Sequence, residues 1–558
     1  MPLYANPIAD GNQEPQLSKA PQACMSCRKQ KRKCSKTLPA CALCQRMSRP
    51  CDYSESAPPP TSEDFQAMRN KVAELESRLS DRNSGVMQVY ETPINNQTGQ
   101  NSHLPQINYY PARDFPWTGT SNKFPGIIFL HSYAFRNSGI SIPRPAFETP
   151  PVGLLNICLV DVLEILGGGS NIQAIVTNYF ATVHLWMPIV SRSKFTINLT
   201  TPSWEVGPEL ALLFLCMKLI TSKPTDGYEC AQNYIYLAAK RCIILMESNG
   251  LISFLALQAN ILITLYEYSH AIYPAAWMSS GWSVRYGNML GINGDKAATD
   301  LLGKPNNWAD DEERRRTWWG VLLVDRIISI GNMGYIINSQ EPKEEDILFD
   351  DSAWESEEIF DTPEIVDLAP STERVAPFAR LCQASLLMGQ VMAHHKAEIA
   401  SDSARYALAS DLYADISDLA CKITAEATNP KDFFRVISPL ALTYSSLCYL
   451  CNPYYCLRNT TNQEQKQMQA RASDGLKTIA ISIIDFVDKI NATTPAIQDL
   501  DRVSPLIMDG IYSGALTLAW LTRENGDEIC QAGLESVRQC LRKLSSRWRN
   551  AAEYTGIL

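Results

Sequence analysis

Six cysteines stand as Cys24-x2-Cys27-x6-Cys34-x6-Cys41-x2-Cys44-x6-Cys51, a spacing so regular that it ties this stretch to metal ahead of any other reading. CMSCRKQKRKC and CALCQRMSRPC are two copies of one Cys-x2-Cys-x6-Cys unit, so a pseudo-two-fold site is written into the residues. Zinc takes four tetrahedral ligands, and thiolates suit it at about 2.3 Å. Two ions want eight ligand positions. Six sulfurs supply them only if two cysteines serve both metals, and the internal symmetry nominates the first of each copy, Cys24 and Cys41. The 28 residues from Cys24 to Cys51 offer only Met25, Leu38, Leu43, Met47 and a few small side chains for burial. Chains below about 40 residues usually need disulfides, metal or assembly to fold, and zinc coordination supplies folding free energy directly. Three structural disulfides are the competing reading. The opening MPLYANPIADGNQEPQ has no basic segment leading into an apolar run, so the thiols are expected in a reducing compartment, which favours metal over disulfides.

Residues 24–51 resemble the fungal Zn2Cys6 binuclear-cluster transcription factors. The likeness extends past the cysteines to Arg28 and Lys31, which match that family's Cys-Arg-x-x-Lys pattern, and to Pro39 in the loop before the fourth cysteine. The resemblance implies two Zn2+ per chain, bridged through the first and fourth cysteines, which agrees with the symmetry argument for Cys24 and Cys41. It also implies a nuclear protein that binds duplex DNA sequence-specifically, with the lysine four residues after the second cysteine, here Lys31, reading a CGG-type triplet.

Charge supports the same reading independently. Between Cys24 and Cys51 stand Arg28, Lys29, Lys31, Arg32, Lys33, Lys36, Arg46 and Arg49, with no Asp or Glu among them. With six thiolates and two Zn2+ the folded module carries +6, while the remaining 42 basic and 59 acidic residues leave −17 elsewhere. A small cation tethered to a large anion fits a nucleic-acid-binding head on a regulatory body, since phosphate contacts dominate affinity. A basic run is ordinarily a solvated face or an import signal; pinned between cysteines, it points to DNA. A short helix following Cys27 is expected to put Arg28 and Lys31 on one side and Lys29, Arg32 and Lys33 on others. Lys31 is then assigned to guanine O6 and N7 in the major groove, and its basic neighbours to phosphates.

Beyond the module, SESAPPPTSED reads as a proline-rich spacer. Phe65, Met68, Val72, Leu75 and Leu79 then recur at alternating intervals of three and four with charged flanks, a seam of about two and a half heptads. A dimerising coiled coil is expected there; a short amphipathic helix docked on its own chain is the competing reading. The composition from Asp81 to about Phe124 is that of a disordered connector. Further on, Phe254, Leu257, Ile261, Leu265 and Tyr268 keep helical intervals, as do Trp319, Leu323, Ile327 and Ile330, and Leu534, Val537, Leu541, Leu544 and Trp548. LISFLALQANILITLY is broken by Gln258 and Asn260, and no run reaches eighteen apolar residues, so no membrane span is expected. The chain is thus read as all-α: a disordered N-terminus at 1–19, the zinc module at 20–54, a linker at 55–63, the coiled coil at 64–82, the connector at 83–124 and a helical regulatory body at 125–558. YFATVHLWMPIVSRSKF, AAWMSSGWSVRYGNMLGI and DEERRRTWWGVLLVDRI resemble the same family's helical middle region. In the last of these, Arg314, Arg315 and Arg316 before Trp318 and Trp319, with Asp325 and Arg326 beyond, suggest an ion-pair and stacking cluster that locks helices together.

No Walker loop, H-E-x-x-H, G-x-S-x-G elbow or complete dinucleotide fingerprint occurs, so no enzyme is expected. Gly167 to Gly169 read as a loop. His394 and His395, being adjacent, are expected on different helix faces. Cys448, Cys451 and Cys456 lie among apolar and aromatic residues and read as buried free thiols. The acidic-aromatic stretch Glu344 to Asp361 fits either an activation segment or a solvated loop. The resemblance therefore implies a nuclear regulator of RNA polymerase II transcription. Its expected partners are duplex DNA, a second copy of the chain and the transcription machinery. Activation of one pathway, for instance a secondary-metabolite gene cluster, is expected from the family's habits. A repressor, or a regulator whose body binds a small metabolite, is the alternative.

Overall fold

Polar residues set within long apolar runs shape the larger part of this molecule. The computed structural model describes residues 19–53 apart from 21, 122–123, 161–198, 207–294 apart from 226, 302, 305, 307–330, 337–340, 348–349, 351, 354, 365–366, 375–399, 401–427, 430–456 and 462–558. The heptad residues Phe65, Met68, Val72, Leu75 and Leu79, the linker and most of the connector lie outside the described residues. The chain divides into two units, Met1–Ile107 and Asn108–Leu558. In the first, two five-residue helices, α1 (Met25–Lys29) and α2 (Ala42–Arg46), flank a cluster of cysteines.

The second unit is helical, with two small antiparallel pairings. Its described helices are α3 (Gly169–Ala181), α4 (Arg192–Asn198), α5 (Pro208–Thr221), α6 (Tyr234–Ser248), α7 (Phe254–Ser269), α8 (Ala275–Leu290), α9 (Trp308–Ile330), α10 (Pro377–Lys396), α11 (Asp402–Glu426), α12 (Pro430–Tyr455), α13 (Gln463–Thr493), α14 (Met508–Asn525), α15 (Glu528–Leu544) and α16 (Asn550–Ile557). Strand β1 (Asn122–Lys123) pairs with β2 (Leu251–Ile252), and β3 (Leu348–Phe349) with β4 (Ile365–Val366). The helical unit thus takes in Asn122 and Lys123, which composition assigns to the connector. Two helices organise the core: α7 packs against α5, α6, α8 and α9, while α12 packs against α10, α11, α13 and α14; α9 lies on α10 and joins the two groups.

Residues Leu255 to Ser269 of α7 are all buried, Gln258 and Asn260 included. These two do not interrupt the core, because each amide nitrogen finds partners, as a buried donor must. Gln258 Nε2 donates to Ile189 O at 2.7 Å, and Asn260 Nδ2 donates to Ser279 O at 3.0 Å and Ser283 Oγ at 2.9 Å. The expected stripes of α7, α9 and α15 face inward, with Phe254 only partly buried at the start of α7. Trp548, just past α15, is buried and donates its indole N–H to Val503 O. Phe433–Tyr455 in α12 is long and apolar enough to cross a bilayer, yet it lies mostly inside the core.

The arginine cluster is architectural, with a partner the sequence did not suggest. Arg316 is fully buried and bonds Glu312 Oε1 and Asp351 Oδ1, both at 2.7 Å. Its guanidinium lies over Trp354, 4.3 Å from the ring centre. Asp351 and Trp354 are buried and belong to the acidic-aromatic stretch, which at these two positions is core rather than solvated loop. Arg326, also buried, donates to Ser385 O at 2.8 Å, and Gly389 leaves room for it: a Cβ there would stand 2.9 Å from the guanidinium carbon. His394 and His395 both meet α12, His394 Nε2 lying 2.7 Å from Tyr454 Oη and His395 Nε2 3.1 Å from Tyr449 O. Cys448 and Cys451 are buried as expected, but Cys456 is exposed because α12 has ended at Tyr455.

Helix α14 approaches α12 so closely at Gly510 that an added Cβ would fall 2.5 Å from Ala441 O, a backbone atom that cannot swing aside. Gly510→Ala should therefore lower stability by about 1–3 kcal/mol, overriding the roughly 1 kcal/mol of helix propensity that alanine brings. An equal or raised denaturation midpoint would show that the helices stand further apart.

Burial holds the His270 pKa down at about 3, aided by Arg547 and Arg549, and burial also lowers His395 to about 4. Folded-state values below the ordinary 6.5 mean stability that is full above pH 6.5 and is lost as pH falls toward those values. Asp509, raised by burial, works in the opposite sense. Denaturant midpoints should decline below pH 6.5, and replacing His270 and His395 with glutamine should flatten the decline. A wild-type midpoint that is level from pH 6.5 to about 4 would contradict this.

Candidate metal centre and nucleic-acid interface

The described residues of the first unit, 19–53 apart from 21, form almost no apolar interior, and the sulfurs fill that place. Cys24, Cys27, Cys41 and Cys44 are buried, Cys34 and Cys51 partly so. The sulfurs fall into two groups, Cys24, Cys27, Cys34 and Cys41 in one and Cys24, Cys41, Cys44 and Cys51 in the other; within each, all atoms lie within 4.8 Å of one another. Cys24 and Cys41 belong to both groups, as the internal symmetry requires.

The separations test whether zinc fits. A tetrahedron with metal–sulfur distances of about 2.3 Å has edges of about 3.8 Å. Cys24 and Cys41 Sγ are 3.8 Å apart, Cys24 and Cys44 3.6 Å, Cys27 and Cys41 3.7 Å, and Cys34 and Cys24 3.9 Å. None of these is a disulfide, whose sulfurs stand about 2.05 Å apart. As free thiols the set is mismatched: burial pushes Cys44 up to about 12 and Cys27 up as well, while the backbone N–H of Cys44 holds Cys41 down at about 6. A divalent cation would take all six as thiolates. Cys24, Cys27, Cys34 and Cys41 would hold one ion, and Cys24, Cys41, Cys44 and Cys51 the other.

The backbone repeats the two-fold. Arg28 N donates to Cys24 O as Gln45 N does to Cys41 O; Lys31 N to Arg28 O as Ser48 N to Gln45 O; and Arg32 N to Cys27 O as Arg49 N to Cys44 O. Lys31 and Ser48 both take left-handed φ, +49° and +48°. The helix in each copy therefore begins directly after the first cysteine and contains the second. This corrects the expected helix following Cys27: α1 ends at Lys29, and Lys31 stands in the turn beyond it. Arg28 and Lys31 do not share a helix face. Arg28 Nε bonds Ala23 O at 2.8 Å, and Arg28, Lys29, Lys31, Arg32 and Lys33 are all exposed.

Three further residues brace the cage without any signal in the cysteine spacing. Tyr53 Oη donates to Thr37 O at 2.9 Å and lies 3.9 Å from Cys34 Sγ; Ser35 Oγ accepts from Ala42 N at 2.9 Å; Met25 N donates to Asp52 O at 2.9 Å. Chemically, residues 24–51 carry an excess of cationic side chains that crowd the end of α1 and the turn after it. They can present lysine and arginine donors to a polyanion.

Comparison with known proteins agrees. Residues 22–60 match the fungal Zn(2)-Cys(6) binuclear cluster domain and residues 176–479 the fungal specific transcription factor domain, the latter more than half of the chain. Transcription factor BOA15 of Botryotinia fuckeliana (strain B05.10) is 37% identical over 153 residues, 27% of this chain and 84% of that protein. The pigment biosynthesis transcriptional activator pigB of Monascus ruber is 28% identical over 165 residues, 27% of this chain and 29% of pigB. The citrinin biosynthesis transcriptional activator ctnR of Monascus purpureus is 21% identical over 337 residues, 57% of this chain and 54% of ctnR. The match thus spans less than two thirds of the length of pigB and of ctnR.

Proposed function

Because the chain belongs to the fungal-specific transcription factors with an N-terminal Zn(2)-Cys(6) cluster, we propose that it is a nuclear, pathway-specific activator of RNA polymerase II transcription that binds duplex DNA through two zinc ions. The single observation that carries this reading is the pair of four-sulfur groups sharing Cys24 and Cys41 beneath an exposed basic run. Zinc, when bound, supplies the cross-links that hold α1 and its following turn rigid. Lys31, lifted clear of α1 by its left-handed turn, is the residue for base edges. Arg28, Lys29, Arg32 and Lys33 neutralise phosphates around it. Control of a biosynthetic gene cluster is supported by the names of relatives such as ctnR and pigB, which are biosynthesis activators. Two zinc heads paired through Phe65, Met68, Val72, Leu75 and Leu79 would read two half-sites. The helical body at 125–558 is then the regulatory part, and the transcription machinery is its partner.

Metal analysis of the purified full chain should return two zinc ions. Cys24→Ser or Cys41→Ser should cost both ions together with DNA binding, since each removes a ligand from both groups; Cys34→Ser should bear chiefly on one ion. Equal zinc loss from all three variants would undo the shared-ligand arrangement.

Lys31→Ala should weaken binding to a site selected from random duplexes by about 1–3 kcal/mol with little change on unselected DNA. Lys33→Ala should weaken both alike and reduce the salt slope by about 1. Identical losses for the two variants on both DNAs would remove the division of roles.

A further inference from the structure

The two halves of the zinc module repeat one backbone but differ in the side-chain contact that joins them. Arg49, in the turn after α2, donates from Nη1 to Gln30 Oε1 at 2.8 Å. Gln30 caps the C-terminal end of α1, its N–H directed at Ser26 O and Arg28 O. The residue after it is Lys31. By the two-fold, Arg49 corresponds to Arg32 and Gln30 to Met47. The mirror contact would need Arg32 to bond Met47, whose thioether is at best a weak acceptor. The cross-link can therefore be made well in one sense, and it falls on the half that carries the basic run.

That placement has consequences for Lys31. A lysine at φ +49° occupies a region that residues other than glycine, asparagine and aspartate rarely visit, so the surrounding structure must hold it there. On the inner side the hold is given by Lys31 N to Arg28 O at 3.1 Å and Arg32 N to Cys27 O at 3.0 Å. On the outer side it is the Gln30 amide, tied to the opposite half of the module by a charge-assisted hydrogen bond.

We propose that Gln30 and Arg49 form a clamp across the pseudo-two-fold that sets the pose of Lys31, which makes them positioning residues for sequence readout. The proposal rests on the assignment of Lys31 to base contact made above. Gln30 carries no charge, so the clamp acts on selectivity and leaves the phosphate contacts in place. This separates it from a direct role of Arg49 on the DNA backbone, which would act on all sequences alike.

The test uses the full chain and two duplexes, a site selected from random DNA and an unselected sequence, with affinities measured over a range of salt and zinc content checked for every variant. Gln30→Ala should lower the ratio of selected to unselected affinity by about threefold to tenfold, with two zinc ions retained and the salt slope unchanged. Arg49→Ala should lower the ratio by a similar factor, and the double variant should fall no further than the weaker single, because both remove one contact. Gln30→Glu keeps an acceptor for Arg49 and should hold the ratio near that of the wild type. A Gln30→Ala variant with full zinc and an unchanged ratio overturns the clamp. So does an Arg49→Ala variant that loses equally on both duplexes with a salt slope smaller by about 1, or a double variant whose loss is the product of the two. Lys31→Ala is the reference: if it leaves the ratio intact, the assignment of Lys31 fails and the clamp with it. If it lowers the ratio while Gln30→Ala does not, the clamp alone fails.

Discussion

Close approach of six sulfurs is the constraint on which the N-terminal unit depends. Separations of 3.6 to 3.9 Å between these cysteines suit ligands of one metal and are far outside a disulfide. Almost nothing else there could form an interior: each helix is five residues long, and Leu38 and Met47 are exposed. With metal bound, coordination chemistry would supply the rigidity that an apolar interior does not, and the surface is left free for charge. That is why eight basic residues can crowd 28 positions without an acidic one to balance them.

The helical unit solves a different problem. A core threaded by α7 and α12 buries arginines, carboxylates and amides along with its leucines and isoleucines, and several of these are held by specific partners. Arg316 sits between Glu312 and Asp351 and beneath Trp354, and Lys194 bridges Asp310 and Glu313, both at 2.6 Å. Burial works against the charge of Lys194, yet its two carboxylates outweigh that and raise its pKa. Removing one partner from such a group leaves an uncompensated charge and is far costlier than the pair's net contribution. These networks therefore fix which helices lie together more than they add stability.

Much of this was legible in the residues. Cysteine spacing led to the two cysteines that belong to both sulfur groups because metal ligation has a short local grammar, and helical stripes led to the inward faces of α7, α9 and α15. What escaped was set at long range or in the backbone. Spacing does not say whether a helix starts before or after Cys27, and so Lys31 was placed on a helix face when it stands in a left-handed turn. Gln258 and Asn260 rule out a membrane span by their polarity, but their partners, Ile189 and Ser279, come from a loop and another helix and are not legible locally. Asp351 and Trp354 looked like parts of a surface segment because Arg316, which draws them in, lies 35 positions before Asp351. The seam from Phe65 to Leu79 lies outside the described residues.

The repetition of one backbone in two copies of unequal charge has an evolutionary reading. Both copies carry the thiols that keep the fold, but CMSCRKQKRKC bears five cations and CALCQRMSRPC two. With DNA contact proposed for the basic run, scaffold duty is spread over both copies while contact duty is concentrated in one. Under that proposal, substitutions at the exposed positions of the charged copy would change which operator is recognised without touching a single cysteine. A lineage can thus redirect such a regulator to new genes by small steps and keep a folded protein at every one.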